Sequence, residues 1–223
     1  MIMPKQMEFR IQKKPISYYD SDRADMLQFV PTGVKKSLEF GCGTGKFSAL
    51  LKETFKAESW AVEINRDAAK SAAEKLDKVI CCDVNESLVQ LPQGYFDCII
   101  FFDILEHLVD PYSLLTAVKD KLSEKGILVA SIPNIRYYRA FAEYVFKGNW
   151  DYKEQGIMDR THLRFFTKKS IVKMLNELGF EILSIQGIHP TSSRSYRLLN
   201  LLFLGGLRDV RYKHFVVIAK CNT

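Results

Sequence analysis

The chain has 223 residues, of which 47% are hydrophobic, and its 32 basic and 26 acidic residues give a formal net charge of +6. This apolar fraction supports a buried core and excludes an intrinsically disordered chain, and the length fits one domain over residues 1–223. The modest positive charge suits an anionic substrate or RNA, but it equally suits a solvated surface with extra lysines.

The cysteines and the longest apolar run indicate a reduced, cytoplasmic protein without a membrane partner. Residues 1–15 lack the apolar core of a signal peptide, and the run Leu198–Leu207 is too short to span a bilayer. No C-x-x-C pair occurs among the five cysteines, which are Cys42, Cys81, Cys82, Cys98 and Cys221.

Strands and helices alternate from about residue 36 onward. The predicted strands are KSLEFG, SWAVEIN, KVICCDV, FDCIIFFD, GILVASIP, FEILSIQGI and KHFVVIAKC. Predicted helices are GKFSALLKETF, RDAAKSAAEKL, a helix that begins at Asp110-Pro111, and KKSIVKMLNEL, which is capped by Thr167 and ends at Gly179. This alternation predicts an α/β fold with a doubly wound parallel sheet and helices on both faces.

Two segments, residues 134–166 and 189–211, interrupt this alternation. Both are rich in aromatic residues and arginine, and both follow predicted strands. Ligands of open α/β sheets bind outside the carboxyl ends of the strands, so we expect these inserts to form a lid and a substrate wall. The alternative is ordinary surface decoration.

A glycine-rich turn joins the first strand to the first helix. Gly41, Gly43 and Gly45 permit a sharp turn and close approach of a ligand to the backbone. The G-x-G-x-G spacing differs from the dinucleotide fingerprint, and no Lys-Ser/Thr pair follows as in nucleoside triphosphate sites. Glu39 would repel a pyrophosphate and attract a cationic amine, which favours S-adenosylmethionine over NAD.

Two further acids follow the next two strands. Glu63 ends the second strand, where a carboxylate accepts hydrogen bonds from both hydroxyls of a ribose. Asp83 ends the third strand, where it can meet the exocyclic amine of an adenine. We therefore expect a nucleoside at this edge of the sheet.

These motifs, in this order, resemble the class I S-adenosylmethionine-dependent methyltransferases over roughly residues 15 to 220. The matching segments are LEFGCGTG, AVEIN, CCDV, FDCIIFFDILEHLVDP and GILVASIPN. The resemblance implies a Rossmann-like, seven-stranded sheet whose last strand is antiparallel and inserted beside the fifth.

The resemblance also implies the parts of a cofactor site. Gly41 and Gly43 contact the amino-acid moiety, and Ile64 packs on the adenine. An N-terminal cap helix over about 15–32 would close Tyr19 and Arg23 over the cofactor carboxylate, unless it is a plain surface helix. The expected cofactor residues are Tyr19, Arg23, Glu39, Gly41, Cys42, Gly43, Gly45, Glu63, Ile64, Asp83, Val84 and Asp103.

The stretch FFDILEHLVDP contains a second constellation. Asp103, Glu106 and His107 are spaced i, i+3 and i+4, which places them on one face if the chain is helical there. With His162 of DRTHLRFFT, they are candidate ligands for Mg²⁺ or Mn²⁺. Alternatively the acids only complement a helix start, or His107 or His162 is a general base on a substrate hydroxyl.

This constellation is similar to that of small-RNA 3′-terminal 2′-O-methyltransferases and of ubiquinone-biosynthesis O-methyltransferases. Both have E-x-x-E-H, and this chain has Asp103 at the first position. DRTHLRFFT also resembles a segment of enzymes that modify sugars and surface polysaccharides. There Arg136, Arg160 and Arg164 would bind a carboxylate or phosphate of the acceptor, unless they are solvated. We expect Phe165 and Phe166 to anchor the core.

The leading hypothesis is therefore a methyltransferase that acts on oxygen of a small or carbohydrate-like acceptor. A metal-dependent RNA-terminal ribose 2′-O-methyltransferase is the alternative, but the chain has no long Lys/Arg run and no added RNA-binding module. A non-catalytic S-adenosylmethionine-binding partner protein would show a broken cofactor motif, whereas every expected residue is present. The glycine spacing disfavours an NAD-dependent oxidoreductase.

Overall fold

The computed structural model describes residues 14–222, which form one seven-stranded sheet flanked by helices. The strands are β1 Lys36–Phe40, β2 Glu58–Val62, β3 Lys78–Ile80, β4 Phe96–Phe102, β5 Leu122–Pro133, β6 Phe180–Pro190 and β7 Tyr212–Cys221. Their order is β3-β2-β1-β4-β5-β7-β6, and β7 runs antiparallel to both of its neighbours. The predicted architecture is confirmed, including the last strand beside the fifth.

The described part of the chain also contains eight α-helices and four 3₁₀ helices. The α-helices are α1 Ile16–Tyr19, α2 Lys46–Phe55, α3 Arg66–Ala73, α4 Val84–Ser87, α5 Pro111–Lys119, α6 Tyr138–Phe146, α7 Lys168–Glu177 and α8 Arg194–Leu202. The 3₁₀ helices are Ala24–Phe29, Leu88–Gln90, Leu105–His107 and Arg208–Arg211. None of the helices in residues 14–222 has the length and apolarity needed to cross a membrane.

Strand β4 divides the core into two layers, because successive side chains of a strand point to opposite faces. Ile99 and Phe101 pack into a cluster with side chains of α5 and α7. Ile100 and Phe102 pack into a second cluster with α2 and the 3₁₀ helix Ala24–Phe29. Helices therefore cover both faces of the sheet, as a strand that is apolar on both sides requires.

The strand order reverses between β1 and β4, which are parallel neighbours at the centre of the sheet. Connections from β1 run toward β2 and β3, whereas β4 leads to β5 on the other side. Such a reversal leaves a crevice at the carboxyl ends of the two central strands, where ligands of open α/β sheets bind.

The N-terminal segment differs from the single helix expected over about 15–32. It consists of α1 and the 3₁₀ helix Ala24–Phe29, with Asp20–Arg23 between them. The carbonyl of Tyr19 accepts a hydrogen bond from Thr44 N (3.0 Å), and the Asp20 carboxylate accepts one from Thr44 Oγ1 (2.8 Å). The segment is thus hydrogen-bonded to the glycine-rich turn, which ends α1 after four residues.

Candidate active site

A cavity of about 350 Å³ lies at the carboxyl ends of the central strands. The first insert and the N-terminal segment also contribute to its walls. The predicted site residues that line it are Tyr19, Arg23, Glu39, Gly41, Cys42, Gly43, Glu63, Ile64, Asp83, Val84, Asp103, Glu106, His107 and His162. The structure therefore brings into one cleft all of the residues proposed for cofactor, metal and catalysis except Gly45.

At two glycines the glycine-rich turn is packed so closely that an added side chain would force neighbouring atoms to move. Gly41 and Gly43 have φ angles of +71° and +56°. A Cβ on Gly43 would lie 2.2 Å from the carbonyl oxygen of Tyr19, and one on Gly41 would lie 2.0 Å from Cδ1 of Ile104. The turn therefore presents bare backbone to the cleft.

Gly45, predicted to contact a cofactor, packs against α3 and is absent from the described lining of the cleft. It precedes α2 with a φ of +77°, and a Cβ there would lie 2.9 Å from Cβ of Ala72 in α3. Its lack of a side chain lets α2 and α3 approach each other. The regular G-x-G-x-G spacing did not distinguish this role from ligand contact.

Glu63 is buried directly after β2, and backbone amides hold both of its carboxylate oxygens. Gly43 N donates to Oε2 (2.8 Å) and Asn65 N donates to Oε1 (2.9 Å). Burial raises the pKa of Glu63, although these backbone hydrogen bonds oppose that shift. Each carboxylate oxygen can accept more than one hydrogen bond, so the side chain remains available to a pair of hydroxyls.

Asp83 has one occupied and one free carboxylate oxygen. Asn85 donates to Oδ1 from its backbone N (2.8 Å) and from Nδ2 (2.9 Å). By accepting the backbone hydrogen bond, Asp83 caps the N-terminus of α4. Oδ2 is buried and has no hydrogen-bond partner among the described residues. A buried carboxylate oxygen without a donor is unfavourable, and an amine donor from a ligand would satisfy it.

Glu39 lies buried at the end of β1, where Ser48 Oγ donates to its Oε2 (2.5 Å). Burial raises the pKa of Glu39 from its usual 4.5 to about 7, against the opposing effects of Ser48 and Arg23. The carboxyl can therefore bind or release a proton near neutral pH. A cationic ligand would favour its ionised form.

We expect Glu39→Gln to change the free energy of unfolding of the ligand-free protein more favourably at pH 8.5 than at pH 5. The folded state holds the proton between the usual pKa of 4.5 and the raised value of about 7, so stability falls as pH rises through this window. Ionisation of buried Glu39 therefore lowers the free energy of unfolding by at most ~3 kcal/mol. Glutamine does not ionise, so the variant avoids this loss. Urea unfolding at both pH values measures the difference, with the exposed Glu53→Gln as the control. Equal effects of Glu39→Gln at the two pH values would contradict the burial of an ionised carboxylate.

Asp103 does not share a helical face with Glu106 and His107, contrary to prediction. It adopts a left-handed φ of +55°, and the turn that follows is a 3₁₀ helix beginning at Leu105. Ser131 Oγ donates to its Oδ1 (2.5 Å), and Arg23 Nη1 lies 3.2 Å from its Oδ2. Although burial opposes the shift, the nearby positive charge and this hydrogen bond hold the pKa of Asp103 below its usual value. Asp103 therefore pairs with Arg23, and it is not among the three described residues whose potential ligand atoms come together.

Glu106, His107 and His162 do come together. One potential ligand atom from each lies within 4.8 Å of the others, and His162 Nε2 lies 3.9 Å from Glu106 Oε1. Neither carboxylate oxygen of Glu106 has a hydrogen-bond partner within residues 14–222, although the side chain is almost fully buried. Burial and the charge of Asp103 raise the pKa of Glu106.

Burial favours the neutral form of both histidines of this group, and backbone carbonyls orient their rings. Burial lowers the pKa of His107 to about 4 and also lowers that of His162. Nδ1 of His107 contacts the carbonyl of Thr161 (3.1 Å), and Nδ1 of His162 contacts that of Ile157 (2.9 Å). Because a carbonyl only accepts, Nδ1 carries the proton and Nε2 keeps a free lone pair. Histidines oriented in this way are typical metal ligands, so the three residues fit a divalent cation.

The first insert lies over the cleft, and the N-terminal segment is bound to it. Gln155, Gly156 and Asp159 line the cavity beside His162. Lys14 Nζ lies 3.2 Å from a carboxylate oxygen of Asp159, which also accepts a hydrogen bond from Tyr18 Oη (3.5 Å). These contacts connect the two walls across the cleft.

The second insert, 189–211, contributes none of the described cavity-lining residues. It packs on the first insert instead: Tyr138 Oη donates to Ser195 Oγ (2.6 Å), and Tyr138, Tyr196 and Leu207 belong to one apolar cluster. The expected substrate wall is therefore, in this structure, a support for the first insert.

The three arginines expected to bind an acceptor have other partners. Arg136 pairs with Asp209 (2.5 Å), Arg160 pairs with Glu154 (2.7 Å), and Arg164 donates to the carbonyl of Val109. They are absent from the described lining of the cavity. Phe166 is buried as predicted, whereas Phe165 is half-buried against the ring of Trp150.

Sequence reasoning missed His214, which lines the same cleft. It pairs in register with Pro133 near the start of β7, and its Nε2 lies 4.0 Å from Asp103 Oδ1. Burial lowers the pKa of His214 to about 4. The signal was present: an antiparallel β7 beside β5 must start at the edge where β5 ends, so its first residues face the ligand cleft.

Comparisons with known proteins agree with this geometry. A family model described as a methyltransferase domain matches residues 15–185, which is more than half of the chain. A ubiquinone biosynthesis O-methyltransferase of Vibrio atlanticus is 29% identical over 178 residues, covering 74% of this chain and 71% of that protein. Another, from Dinoroseobacter shibae, is 31% identical over 166 residues, covering 68% of this chain and 62% of that protein, less than two thirds of its length.

A solved structure of similar fold is that of a SAM-dependent methyltransferase from Archaeoglobus fulgidus. Its TM-score is 0.68 at 22% identity, and the match covers 97% of this chain and 100% of that one. At this identity the likeness shows the fold alone.

Proposed function

This chain belongs to the class I S-adenosylmethionine-dependent methyltransferases, and from that premise we propose that it methylates a hydroxyl oxygen of a small acceptor. The observation that best supports this proposal is the buried carboxyl group of Glu106, which has no hydrogen-bond partner among the described residues. It lies beside His107 and His162, in the same cleft as the predicted cofactor residues. The names of the two relatives, both O-methyltransferases, support oxygen as the methyl acceptor.

At the donor end of the cleft, S-adenosylmethionine would supply an electrophilic methyl group. Glu63 would accept hydrogen bonds from the two ribose hydroxyls, and the free Oδ2 of Asp83 would accept one from the adenine amine. The Arg23 guanidinium has five N–H donors, so it can bind a cofactor carboxylate while it remains paired with Asp103. Glu39 would face a positive charge of the amino-acid moiety.

At the other end, Glu106, His107 and His162 would hold a divalent cation, which supplies a Lewis acid that lowers the pKa of an acceptor hydroxyl. The cluster of one carboxylate and two imidazoles suits Mn²⁺ or a similar ion better than Ca²⁺, which prefers oxygen ligands alone. His107 and His162 are, in this proposal, ligands rather than proton carriers. Their neutral state at pH 7 is the state that binds metal.

The protein's own contribution to methyl transfer is mainly positioning. Transfer requires the acceptor oxygen in line with the methyl group, and a rigid cleft supplies this alignment without a covalent intermediate. The contacts of Lys14 and Tyr18 with Asp159 hold the N-terminal segment and the first insert together, which restricts the acceptor and excludes water.

The proposal is tested by incubating the protein with S-adenosylmethionine labelled in its methyl group, Mn²⁺, and separate acceptors. The panel contains catechols, phenols, sugars, primary amines, carboxylic acids and 3′-terminal RNA. We expect label in a base-stable ether of a small hydroxyl compound. Label found on nitrogen, in a base-labile ester, or in RNA alone would overturn the proposed acceptor class.

A further inference from the structure

The second insert carries an exposed apolar segment in its middle. Leu198, Leu201, Leu202, Phe203 and Leu204 are 61%, 71%, 70%, 59% and 96% exposed, respectively. Single exposed hydrophobic residues are normal, but five large apolar side chains exposed within the segment 198–204 indicate an interaction surface. We refer to these five residues as the apolar tip.

The apolar tip projects from an anchored helix. The opposite face of α8 packs through Tyr196 and Leu199 against Leu207 and Val210, and Tyr196 Oη donates to the carbonyl of Leu207 (3.3 Å). Asn200 Oδ1 accepts a hydrogen bond from Leu207 N (3.1 Å), which closes the loop at its base. The tip therefore protrudes from a supported base.

The backbone at the end of the tip is unusual. Leu204 adopts a φ of +52°, a left-handed conformation that leucine seldom takes, and its side chain is almost wholly exposed. Gly205, which tolerates such a φ without strain, is the next residue. An apolar side chain is therefore held outward at a position where glycine would fold more easily.

Arginines surround the base of the apolar tip. They are Arg194, Arg197, Arg208 and Arg211, all of them exposed. Asp209 is the one acidic residue between 191 and 213, and Arg136 pairs with it (2.5 Å). Arg208 Nε lies 3.3 Å from where a Cβ of Gly205, the residue after the apolar tip, would stand, so this charge lies beside the tip.

The spacing of charge and apolar surface matches a lipid interface. Arg194 and Leu201 are seven residues apart on α8, a distance of about 10 Å along the helix axis. Amphipathic segments bury their apolar side chains about 5–10 Å into the boundary between headgroups and acyl chains, with basic residues at headgroup level. The tip could enter this boundary while the arginines contact phosphates.

We propose that the apolar tip docks this protein peripherally on an anionic lipid bilayer. A second copy of the chain fits less well, because a twofold contact through the tip would bring the arginines of both copies together. The run Leu198–Leu207 is too short to span a membrane, but the exposure of the apolar tip within it and the flanking charge favour lying on one.

The test is flotation of the full chain with vesicles of phosphatidylcholine alone or mixed three to one with phosphatidylglycerol, in about 0.1 M and 0.5 M salt. We expect about tenfold tighter binding to the anionic vesicles at low salt, and loss of that preference at high salt. Leu201→Ser/Leu204→Ser should abolish binding, and Arg194→Gln/Arg197→Gln should remove the preference for anionic vesicles. Val89→Ser, at an exposed apolar residue elsewhere, should bind like the parent.

S-Adenosylhomocysteine binding by every variant verifies that it is folded. The proposal is overturned if the parent does not float with anionic vesicles, or if the double leucine variant still does. It is equally overturned if sedimentation equilibrium shows a dimer that Leu204→Ser dissociates, since the tip would then belong to a second copy.

Discussion

Gly43→Ala should weaken S-adenosylhomocysteine binding at least ~100-fold, equivalent to about 2.7 kcal/mol of binding free energy. The added methyl would lie 2.2 Å from the carbonyl oxygen of Tyr19, which is backbone and cannot rotate away. Relief of the clash must move the glycine-rich turn or the N-terminal segment. Because Gly43 N donates to Glu63, either movement disturbs the carboxylate proposed to hold the ribose. Isothermal titration calorimetry measures the loss.

Gly94→Ala is the matched control for that variant. Gly94 has a φ of +59°, close to the +56° of Gly43, but no atom of residues 14–222 lies within 4 Å of its added Cβ. Both variants should lose about 1 kcal/mol or more of folding stability from the left-handed alanine. Only Gly43→Ala should also lose ligand affinity. If the two variants bind the ligand equally well, close packing at Gly43 is not important for the cofactor site.

His162→Ala should abolish Mn²⁺ binding and lower the rate of methyl transfer at least ~100-fold, while leaving S-adenosylhomocysteine affinity within a few-fold of the parent. His162 provides one of the three clustered potential ligand atoms, and its loss leaves Glu106 and His107 alone. The predicted ribose and adenine partners, Glu63 and Asp83, are unchanged. Calorimetry measures the loss of Mn²⁺ binding. Initial rates with the acceptor that becomes labelled in the panel above measure the loss of methyl transfer.

His189→Ala is the control for this change, since His189 is half exposed and outside the cluster. It should keep both Mn²⁺ binding and activity. The opposite result would be that the parent protein transfers methyl groups at full rate in EDTA while His162→Ala is inactive. That result would assign His162 to general-base catalysis and would contradict the cation site.

The sheet could be predicted from the sequence because its signals are local and redundant. β4 is apolar throughout and must be central, and the cap at Asp110-Pro111 and the stop at Gly179 mark helix ends where the structure has them. The clustering of the site residues also followed, since residues just after parallel strands meet at one edge of the sheet.

The details that were missed depend on tertiary contacts. Asp103 leaves the expected helical face because Arg23 and Ser131, distant in sequence, bind its carboxylate in a left-handed turn. His214 reaches the cleft only through the antiparallel insertion of β7. The arginines of the first insert have partners, such as Asp209 for Arg136, that no spacing rule reveals.

In the proposed function, one cleft holds the methyl donor and a divalent cation in separate places. The most direct test is calorimetry of S-adenosylhomocysteine in EDTA, followed by Mn²⁺ titrated into the EDTA-free complex, for the parent, Glu63→Ala and His162→Ala. We predict that the parent binds S-adenosylhomocysteine and Mn²⁺ with one-to-one stoichiometry. Glu63→Ala should lose the heat of S-adenosylhomocysteine binding, and His162→Ala should lose only the heat of Mn²⁺ binding. No S-adenosylhomocysteine heat in the parent, or a Mn²⁺ heat that survives in His162→Ala, would contradict this arrangement of two separate sites.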